Sequence, residues 1–285
     1  MRFAKAGVQI GGNYVKYYSK KWAGQEADKG DLHEANATDV YNALGELKGS
    51  VLKLAQLLSL DRGMLPMEYA RKFQLAQYSA PPLSGPLVQK IFRQELGQSP
   101  QDFFDRFEPE AVAAASIGQV HRAEKAGKDL AVKIQYPGVR DSIQSDIRLA
   151  KPVALRMLNV KESDIKPYLE ELTDKLQEET DYQHELKVGM QITAECKPLS
   201  NVHFPNYYPE WSTPKILVMD WVEGRHLDQF IASDPPQETR NAIGQALWDF
   251  YNYQVHKLRI VHADPHPGNF IIDSHDRLWV IDLAV

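Results

Sequence analysis

The amino-acid sequence predicts an α+β fold, in which a helical preface leads into a small antiparallel sheet with one inserted helix and then into further helices. Three observations predict it. Apolar residues lie three and four positions apart from Val40 to Leu58, within a helical segment over residues 31–60. Two β-branched runs flank a turn at Gly127-Lys128-Asp129, which is typical of paired strands. A second clear helical pattern, from Glu238 to Leu258, follows the sheet.

The other elements are predicted from local signals in chain order. The SAPPLSG stretch at residues 79–85 indicates a linker, because proline lacks a backbone donor and restricts the residue before it. The pattern then predicts a short helix at Pro86–Leu96, followed by a stretch from Pro100 to Phe107, and a long helix from Ser163 to about Gln191. It also predicts four strands, which lie near Val202 and at Lys215–Asp220, Asn269–Ile272 and Leu278–Ile281.

Composition is that of an ordinary soluble chain. Its 285 residues are enough for one large domain or two lobes, and 43% of them are apolar. No apolar run approaches the ~20 residues of a membrane helix, and no secretory signal is visible. The single cysteine, Cys196, forms no internal disulfide. We therefore expect a reducing compartment.

Charge is unevenly distributed along the chain. Residues 1–22 carry five cations and no acid, so a chain of net charge −5 has −10 outside this arm. Aromatic and apolar residues interleave with the cations, which suits an anionic membrane surface or a phosphate-rich partner. A frayed, solvated arm is the alternative. The acidic remainder argues against a nucleic-acid partner.

The strongest chemical signal is the motif His-Ala-Asp-Pro-His-Pro-Gly-Asn at residues 262–269. Asp264 and Asn269 are five positions apart and can face one site. In protein kinases this spacing places the aspartate near the accepting hydroxyl and the asparagine on magnesium, with a second metal-binding aspartate about a dozen residues later. Asp282 stands thirteen residues after Asn269.

Two other interpretations of this motif are open. Asp264 and Asn269 could merely satisfy backbone groups of a turn. His262 and His266 have the i, i+4 spacing of helical zinc ligands. Prolines at positions 265 and 267 disfavour a helix here, and with it the zinc site.

The second signal is Lys133 within the apolar strand Leu-Ala-Val-Lys-Ile. A lysine among apolar neighbours needs an anionic partner. In a kinase such a lysine holds nucleotide phosphates and pairs with a helix glutamate, for which Glu179 and Glu185 are the candidates. A strand lysine alone is more often a surface residue, but its order relative to the Asp264 motif favours the functional interpretation.

A run of small residues precedes this strand where a kinase has its glycine-rich loop. The run consists of Ala113, Ala114, Ala115 and Ser116. Small side chains still let backbone amides approach a phosphate. Alanine disfavours positive φ, so we expect a stiffer loop of different shape. By itself the run also fits a tightly packed segment.

Taken together, four motifs resemble the UbiB family of atypical protein-kinase-like proteins, also called AarF or ADCK. They are AAASIGQVHRA at 113–123, AVKIQYPGV at 131–139, ETDYQHE at 179–185 and HADPHPGN at 262–269. The stretch from Lys48 to Ser59 resembles the family's Lys-x-Gly-Gln helix, with Ala55 at the glycine position. The resemblance covers roughly Val40 to Asp282.

The resemblance implies a protein-kinase-like fold in four parts. These are a basic arm at 1–30, a helical extension at 31–99, an antiparallel-sheet N-lobe at 100–224 and an incomplete helical C-lobe at 225–285. It also implies that the chain binds ATP or ADP with Mg²⁺ and hydrolyses ATP slowly. Quinone or lipid metabolism at membranes, with quinone-biosynthesis proteins as partners, is the implied context. Without an organelle presequence, we expect a bacterial cytoplasm and peripheral membrane contact.

The resemblance also assigns roles to residues. It implies that Lys133 contacts the phosphates and pairs with Glu185, beside the Ala113–Ser116 loop, which disfavours ordinary protein phosphorylation. Asp264 is implied in catalysis, and Asn269 and Asp282 in magnesium binding. Regulatory roles fall to Glu179 and Asp181, which would face Lys53 and Gln56 of the extension helix.

The chain departs from the family at its end. It reads Asp282-Leu283-Ala284-Val285, where the family reads Asp-Phe-Gly followed by Cys-Val and a helical lobe. We hypothesise that the loss of one nucleotide in the gene explains this ending. If the downstream DNA contains no reading frame that resembles the family, the hypothesis is refuted. We expect exposed apolar faces on Glu238–Leu258 and weak or absent catalysis.

Two rival functions are open. A small-molecule phosphotransferase of the aminoglycoside or choline kinase type shares the His-x-Asp-x4-Asn loop, but does not require the Lys53–Gln56 helix. A non-catalytic, nucleotide-responsive scaffold would use binding alone to recruit partners. Loss of hydrolysis in Asp264→Asn distinguishes an enzyme from such a scaffold.

Overall fold

A computed structural model of the chain describes residues 12–13, 15–22, 32, 83–115, 117–158, 162–262 and 265–283. The chain divides into two compact units. The first unit includes residues 113–119 and 135–180, and the second comprises 84–112, 120–134 and 181–285. Apart from Leu32, the helix predicted over 31–60 lies outside the described residues, and the predicted domain boundaries stay a prediction.

Helices and strands follow one another in short runs along the described chain. The helices are α1 (Gly85–Leu96), α2 (Pro100–Phe103), α3 (Val139–Leu158), α4 (Glu162–Glu179), α5 (Tyr182–Glu195), α6 (Leu227–Ala232) and α7 (Gln237–Tyr253). The strands are β1 (Arg106–Phe107), β2 (Ala113–Ala115), β3 (Gly118–Lys125), β4 (Lys128–Gln135), β5 (Val202–His203), β6 (Ile216–Asp220), β7 (Arg225–His226), β8 (Phe270–Ile272) and β9 (Leu278–Val280).

In the first unit, α3 packs against α4. Strand β2 pairs with β3, and the first two residues of β3, 118 and 119, belong to this unit as well. Gln135 Nε2 donates a hydrogen bond of 2.8 Å to the carbonyl oxygen of Thr180, just after α4 ends. Helix α3 was not predicted, and it contains Pro152 in its interior.

The predicted long helix from Ser163 to about Gln191 is two helices. Helix α4 ends at Glu179 and α5 begins at Tyr182. Asp181 caps α5, because its Oδ1 accepts a hydrogen bond of 3.1 Å from the backbone nitrogen of Gln183. Three helices therefore lie between β4 and β5, and the expectation of one inserted helix was wrong.

The second unit contains an antiparallel sheet in which β1, β3, β4 and β6 lie side by side in that order. Strand β4 pairs with β6 so that Lys133 lies opposite Leu217. Residues 130–134 of β4 are all buried, so both faces of this strand are covered. Helix α1 has a proline in its first turn, and Gly97, in the left-handed conformation (φ 76°), caps its C-terminal end. The predicted helix Pro86–Leu96 thus exists.

A second sheet in the same unit has the strand order β5-β9-β8-β7. Strand β5 runs parallel to β9, with Val202 opposite Leu278. The strand predicted near Val202 thus exists, but it does not belong to the first antiparallel sheet. Apolar residues of α5, α6, α7 and this sheet form a core cluster that includes Phe230, Phe250 and Leu283.

Helix α7 carries two large exposed side chains. Trp248 is 63% exposed and Tyr251 is 55% exposed, and their spacing places them on one helix face. Ile243, Ala246 and Phe250 of the same helix are buried in the core, so the effect expected from the chain's ending on Glu238–Leu258 stays a prediction. Within the part of the chain that the structure describes, no helix combines the length and apolarity needed to cross a membrane.

Candidate functional site

Lys133 and two carboxylates form a buried ion cluster in the second unit. The Nζ atom of Lys133 lies 2.7 and 2.9 Å from the two carboxylate oxygens of Glu185, and 3.4 Å from Oδ2 of Asp282. The Lys133 and Glu185 side chains are only 10% and 12% exposed, whereas that of Asp282 is 32% exposed. The structure thus brings together three residues from β4, α5 and the segment after β9.

The two carboxylates keep Lys133 charged. Burial lowers the pKa of Lys133, but the carboxylates of Asp282 and Glu185 outweigh burial and raise that pKa well above its ordinary value. The ring of Tyr182 also lies beneath the ammonium, 5.1 Å from centroid to Nζ. Lys133 is therefore cationic at neutral pH, and two acids face one cation.

Helix α5 holds Glu185 in place from its own first turn. The backbone nitrogen of Tyr182 donates a hydrogen bond of 3.2 Å to the carbonyl oxygen of Pro214, and Asp181 caps the helix. Glu185 follows Tyr182 by three residues, so the two lie on neighbouring positions of one helix face. The fixed first turn therefore orients Glu185 toward β4.

The β8–β9 hairpin brings Asn269 and Asp282 to one end of the second sheet. Asn269 is buried and ends a 3-10 turn, Pro267–Asn269, immediately before β8. The backbone nitrogen of Ile281 donates a hydrogen bond of 3.1 Å to the carbonyl oxygen of Asn269. Leu283, where the family has phenylalanine, is buried in the core cluster and fixes the chain directly after Asp282.

The donor atoms of Asn269 and Asp282 suit magnesium. Magnesium prefers oxygen ligands and is usually held by one or two carboxylates together with substrate phosphates. Among the described residues, no group of three histidine, cysteine, aspartate or glutamate side chains could hold a metal ion. Asn269 and Asp282 are therefore the described residues that could contribute to a magnesium site.

The histidines of the 262–269 motif have local roles in the described structure. The backbone nitrogen of His262 donates a hydrogen bond of 2.6 Å to Oε1 of Gln254. Nδ1 of His266 accepts a hydrogen bond of 2.9 Å from the backbone nitrogen of Gly268. His266 thus caps the 3-10 turn that leads to Asn269.

The other predicted site residues fall into two groups. Ala113, Ala114 and Ala115 form strand β2 rather than a loop. These alanines and Glu179, the last residue of α4, belong to the first unit. Ser116, Asp264, Lys53 and Gln56 lie outside the described residues. The roles predicted for all of them stay predictions.

Asp273 is a buried acid that the sequence reasoning missed. Its carboxylate accepts hydrogen bonds from Nε of Arg277 (2.7 Å), from Nε1 of Trp279 (3.0 Å) and from the backbone nitrogens of His275 and Arg277 (2.8 and 3.0 Å). Burial raises the pKa of Asp273, but these hydrogen bonds outweigh burial and hold it well below the ordinary range. An aspartate at the start of a short turn between two strands is the signal that could have found it.

These features define a protein-kinase-like protein. A buried strand lysine that pairs with a helix glutamate, together with a later metal-type aspartate, is the arrangement that protein kinases use. The family model for the ABC1 atypical kinase-like domain matches residues 75–284. The chain therefore belongs to the ABC1 atypical kinase-like family, which confirms the resemblance to UbiB and AarF proteins.

Similar proteins come from plants, animals and fungi. The chain is 30% identical over 283 residues to the Arabidopsis thaliana chloroplastic protein Activity of BC1 Complex Kinase 8, covering 94% of this chain and 37% of that protein. It is 32% identical over 258 residues to the mitochondrial atypical kinase COQ8B of Danio rerio, covering 89% and 41%. The mitochondrial atypical kinase COQ8 of Saccharomyces cerevisiae is 30% identical over 249 residues, covering 86% and 49%.

A solved structure supports the same fold. The erythromycin complex of Rv3197 from Mycobacterium tuberculosis superposes with a TM-score of 0.61 at 30% identity, covering 90% of this chain and 65% of that one. This chain spans 37% to 49% of the length of the three curated relatives named above. The predicted α+β, kinase-like fold is confirmed.

Proposed function

We propose that this atypical kinase-like chain binds ATP or ADP with Mg²⁺ at the cluster of Lys133, Glu185 and Asp282. The observation that carries the proposal is the buried Lys133 ammonium, which is bound by carboxylates from two separate elements. A buried ammonium held by Glu185 is preoriented to contact a phosphate without a large cost of reordering. The Asp282 carboxylate is 32% exposed, so that a metal ion can reach it from solvent.

The chain's own residues would divide the work of phosphoryl transfer. Asp282 and Asn269 are the groups that would hold magnesium, and Lys133 would neutralise charge on the phosphates. Bound ATP supplies the phosphoryl group that is transferred. Asp264 is proposed as the group that receives the proton of the attacking hydroxyl or water.

Thermal stabilisation by nucleotide tests binding directly. A ligand at ~100 times its dissociation constant adds ~2.7 kcal/mol to the unfolding free energy. We expect magnesium with ADP or ATP to raise the melting temperature of the wild-type chain and of Lys90→Ala, an exposed lysine on α1. Lys133→Ala should lose this stabilisation. A wild-type chain that melts cooperatively and shows no shift would refute the proposal.

Hydrolysis separates an enzyme from a nucleotide-responsive scaffold. We expect slow ADP release from ATP that disappears in Asp264→Asn while nucleotide stabilisation persists. Binding without any hydrolysis would instead favour the scaffold. Turnover that rises sharply with an added aminoglycoside or choline would favour the small-molecule phosphotransferase. The expectation of weak turnover is tested by assaying a longer relative beside this chain.

A role in quinone or lipid metabolism follows from the resemblance to the UbiB family. A bacterial strain that lacks its own UbiB-family protein provides the test. Expression of this chain should restore quinone content, and Lys133→Ala should not. Unchanged quinone levels with the wild-type chain, at matched expression, would count against this role.

The basic arm provides an observation in favour of a lipid partner. Residues 15–22 are helical, and Val15, Tyr18 and Trp22 are 71%, 58% and 96% exposed. Their spacing places these three side chains on one face of the helix. The exposed lysines at positions 16, 20 and 21 lie on the other sides of the helix. An apolar and aromatic face combined with a cationic remainder suits the surface of an anionic membrane.

Co-sedimentation with vesicles tests this partner. We expect the chain to bind phosphatidylglycerol vesicles more strongly than phosphatidylcholine vesicles, and added salt to weaken the binding. A triple change of Lys16, Lys20 and Lys21 to glutamine should abolish the preference. The matched control changes three other exposed lysines, Lys90, Lys166 and Lys175. Equal loss in both triple variants would contradict a specific role for the arm.

A further inference from the structure

Gly189 lies one helical turn after Glu185 on α5 and is buried. Residues four apart lie on the same helix face, so Gly189 faces the sheet as Glu185 does. Glycine in a helix interior is less stable than alanine. A Cβ atom at Gly189 would stand 2.5 Å from Cζ, 2.8 Å from Cε2 and 2.9 Å from the hydroxyl oxygen of Tyr207. The phenol ring of Tyr207 therefore occupies the space that any side chain at position 189 would need.

Tyr207 is not free to move away. It forms an isolated antiparallel bridge with Met219 of β6. On either side, the backbone nitrogen of Tyr208 donates to Val218 (3.0 Å) and that of Asp220 donates to Asn206 (2.9 Å). The residue itself is 8% exposed. The ring is thus fixed between the sheet and α5.

The phenol also lies in the field of the ion cluster. Burial raises the pKa of Tyr207, and the charges of Glu185 and Asp282 raise it further. The hydroxyl is therefore neutral at all ordinary pH values. A neutral ring beside two carboxylates fills space without adding a third negative charge.

Two contacts then fix α5 against the sheet, one on each side of Glu185. The first is the hydrogen bond from Tyr182 to Pro214, three residues before it. The second is the packing of Tyr207 on Gly189, four residues after it. The hydrogen bond anchors the start of the helix, and the ring of Tyr207 limits how closely the next turn can approach the sheet.

We propose that Tyr207 and Gly189 form a positioning contact that sets the distance of α5 from the sheet and so places Glu185 on Lys133. Tyr207 is a positioning residue, since it acts on the cluster through the helix. The positioning contact itself does not depend on the proposed function. Its expected consequence, that nucleotide binding requires the contact, rests on the proposed function.

Chemical labelling of lysine in the absence of nucleotide tests the contact. An amine-reactive reagent, with peptides quantified by mass spectrometry, reports how well Glu185 protects the Lys133 amine. We expect Gly189→Ala to speed labelling of Lys133 by about tenfold, which corresponds to ~1.4 kcal/mol of lost protection. The labelling rate of Lys133 in Glu185→Gln shows how fast the amine reacts when its pair with Glu185 is lost. Adding Gly189→Ala to Glu185→Gln should not increase this rate further.

A second change at position 207 keeps the test decisive if Gly189→Ala disturbs folding. Leucine ends short of the ring atoms Cζ and Cε2, so Tyr207→Leu should restore slow labelling in the Gly189→Ala background. Tyr207→Phe keeps both ring atoms and should not restore it.

The matched control is Gly244→Ala. Gly244 is a helical glycine of α7 with no atom within 4 Å of an added Cβ, so labelling of Lys133 should not change. Labelling of Lys133 in Gly189→Ala as slow as in the wild type would overturn the inference. So would an equal acceleration at Lys151, a partly buried lysine that pairs with Glu162 in the first unit, because it would indicate general loosening.

Nucleotide binding supplies the second readout. The thermal shift by magnesium and ADP should fall in Gly189→Ala and return with Tyr207→Leu. A wild-type chain that binds no nucleotide would refute the proposed function, while the labelling result would still decide the positioning contact.

Discussion

Two buried acidic clusters in the same unit are built in different ways. Asp273 is bound by groups within six residues of it, and its charge is matched by a single arginine, Arg277. Lys133 is bound by Glu185 and Asp282, which are 52 and 149 residues away, and two acids there share one cation. All the groups that bind Asp273 lie within one hairpin. At Lys133, by contrast, two acids from distant parts of the chain share a single lysine.

This difference separates a structural acid from a functional one. A carboxylate that accepts bonds from every side, as Asp273 does, has little capacity left for a ligand. Asp282 lies 3.4 Å from Lys133 and its side chain is 32% exposed, so a cation or a phosphate-bound metal can reach it from solvent. Burial alone does not identify a site, whereas a buried lysine beside a partly exposed acid is an arrangement typical of functional sites.

The largest expected effect is at Lys133. Replacing it with methionine removes the cation that Glu185 and Asp282 share, and Glu185 is buried. Removing one partner of a buried pair costs about 3–5 kcal/mol. Urea unfolding of Lys133→Met beside the wild type measures this loss. A variant as stable as the wild type would mean that the two acids become protonated or solvated at little cost.

A smaller loss is expected at Asp273. Asp273→Asn keeps the shape but replaces an acceptor oxygen by a donor beside Arg277 and Trp279. An unsatisfied buried group costs about 1–3 kcal/mol. We expect a loss of stability of that size in urea with no change in nucleotide binding. Weakened nucleotide binding at intact stability would contradict the separation of the two clusters.

The same acid should appear in the pH dependence of stability. Because the pKa of Asp273 is lowered by folding, its contribution is complete above the unfolded value of about 3.9 and is lost as pH falls through the folded value. The stability difference between the wild type and Asp273→Asn should therefore be constant near neutral pH and shrink below about pH 4. A difference that grows on acidification would contradict the lowered pKa.

The smallest effect on stability is expected at Asp282. Lys133 retains Glu185 when Asp282→Asn removes the more exposed carboxylate, so we expect a change within about 1 kcal/mol. Magnesium-dependent stabilisation by ADP should nevertheless disappear. The two measurements together separate ligand binding from folding. A large loss of stability with magnesium binding retained would mean that Asp282 is a structural acid like Asp273.

Elements with strong local signals were predicted well. Helices α1 and α7 and the strands β4, β6, β8 and β9 all lie where periodicity and turn residues place them. The break between α4 and α5 was missed, because the apolar pattern continues through it while the cap at Asp181 interrupts the backbone. Strand β5 has only two residues and a distant parallel partner, so its sequence contains no information about which sheet it joins.

The residues of the candidate site could also be predicted only in part from the sequence. Glu179 and Glu185 were both candidates from the residues alone, and the family resemblance favoured the second. In the structure, the carboxylate at Lys133 is that of Glu185. The contact between Tyr207 and Gly189 has no sequence signal, because it depends on how closely two distant elements pack.

The spacing of the ion cluster along the chain has a consequence for folding order. Loop closure costs more entropy as the loop lengthens, so the hairpin around Asp273 can close by itself, within microseconds. During synthesis at ~5–20 residues per second, Asp282 emerges about 7 to 30 s after Lys133, from which it is 149 residues away. Until then the lysine has no access to that acid. The ion cluster is thus completed only after nearly the whole described chain has left the ribosome.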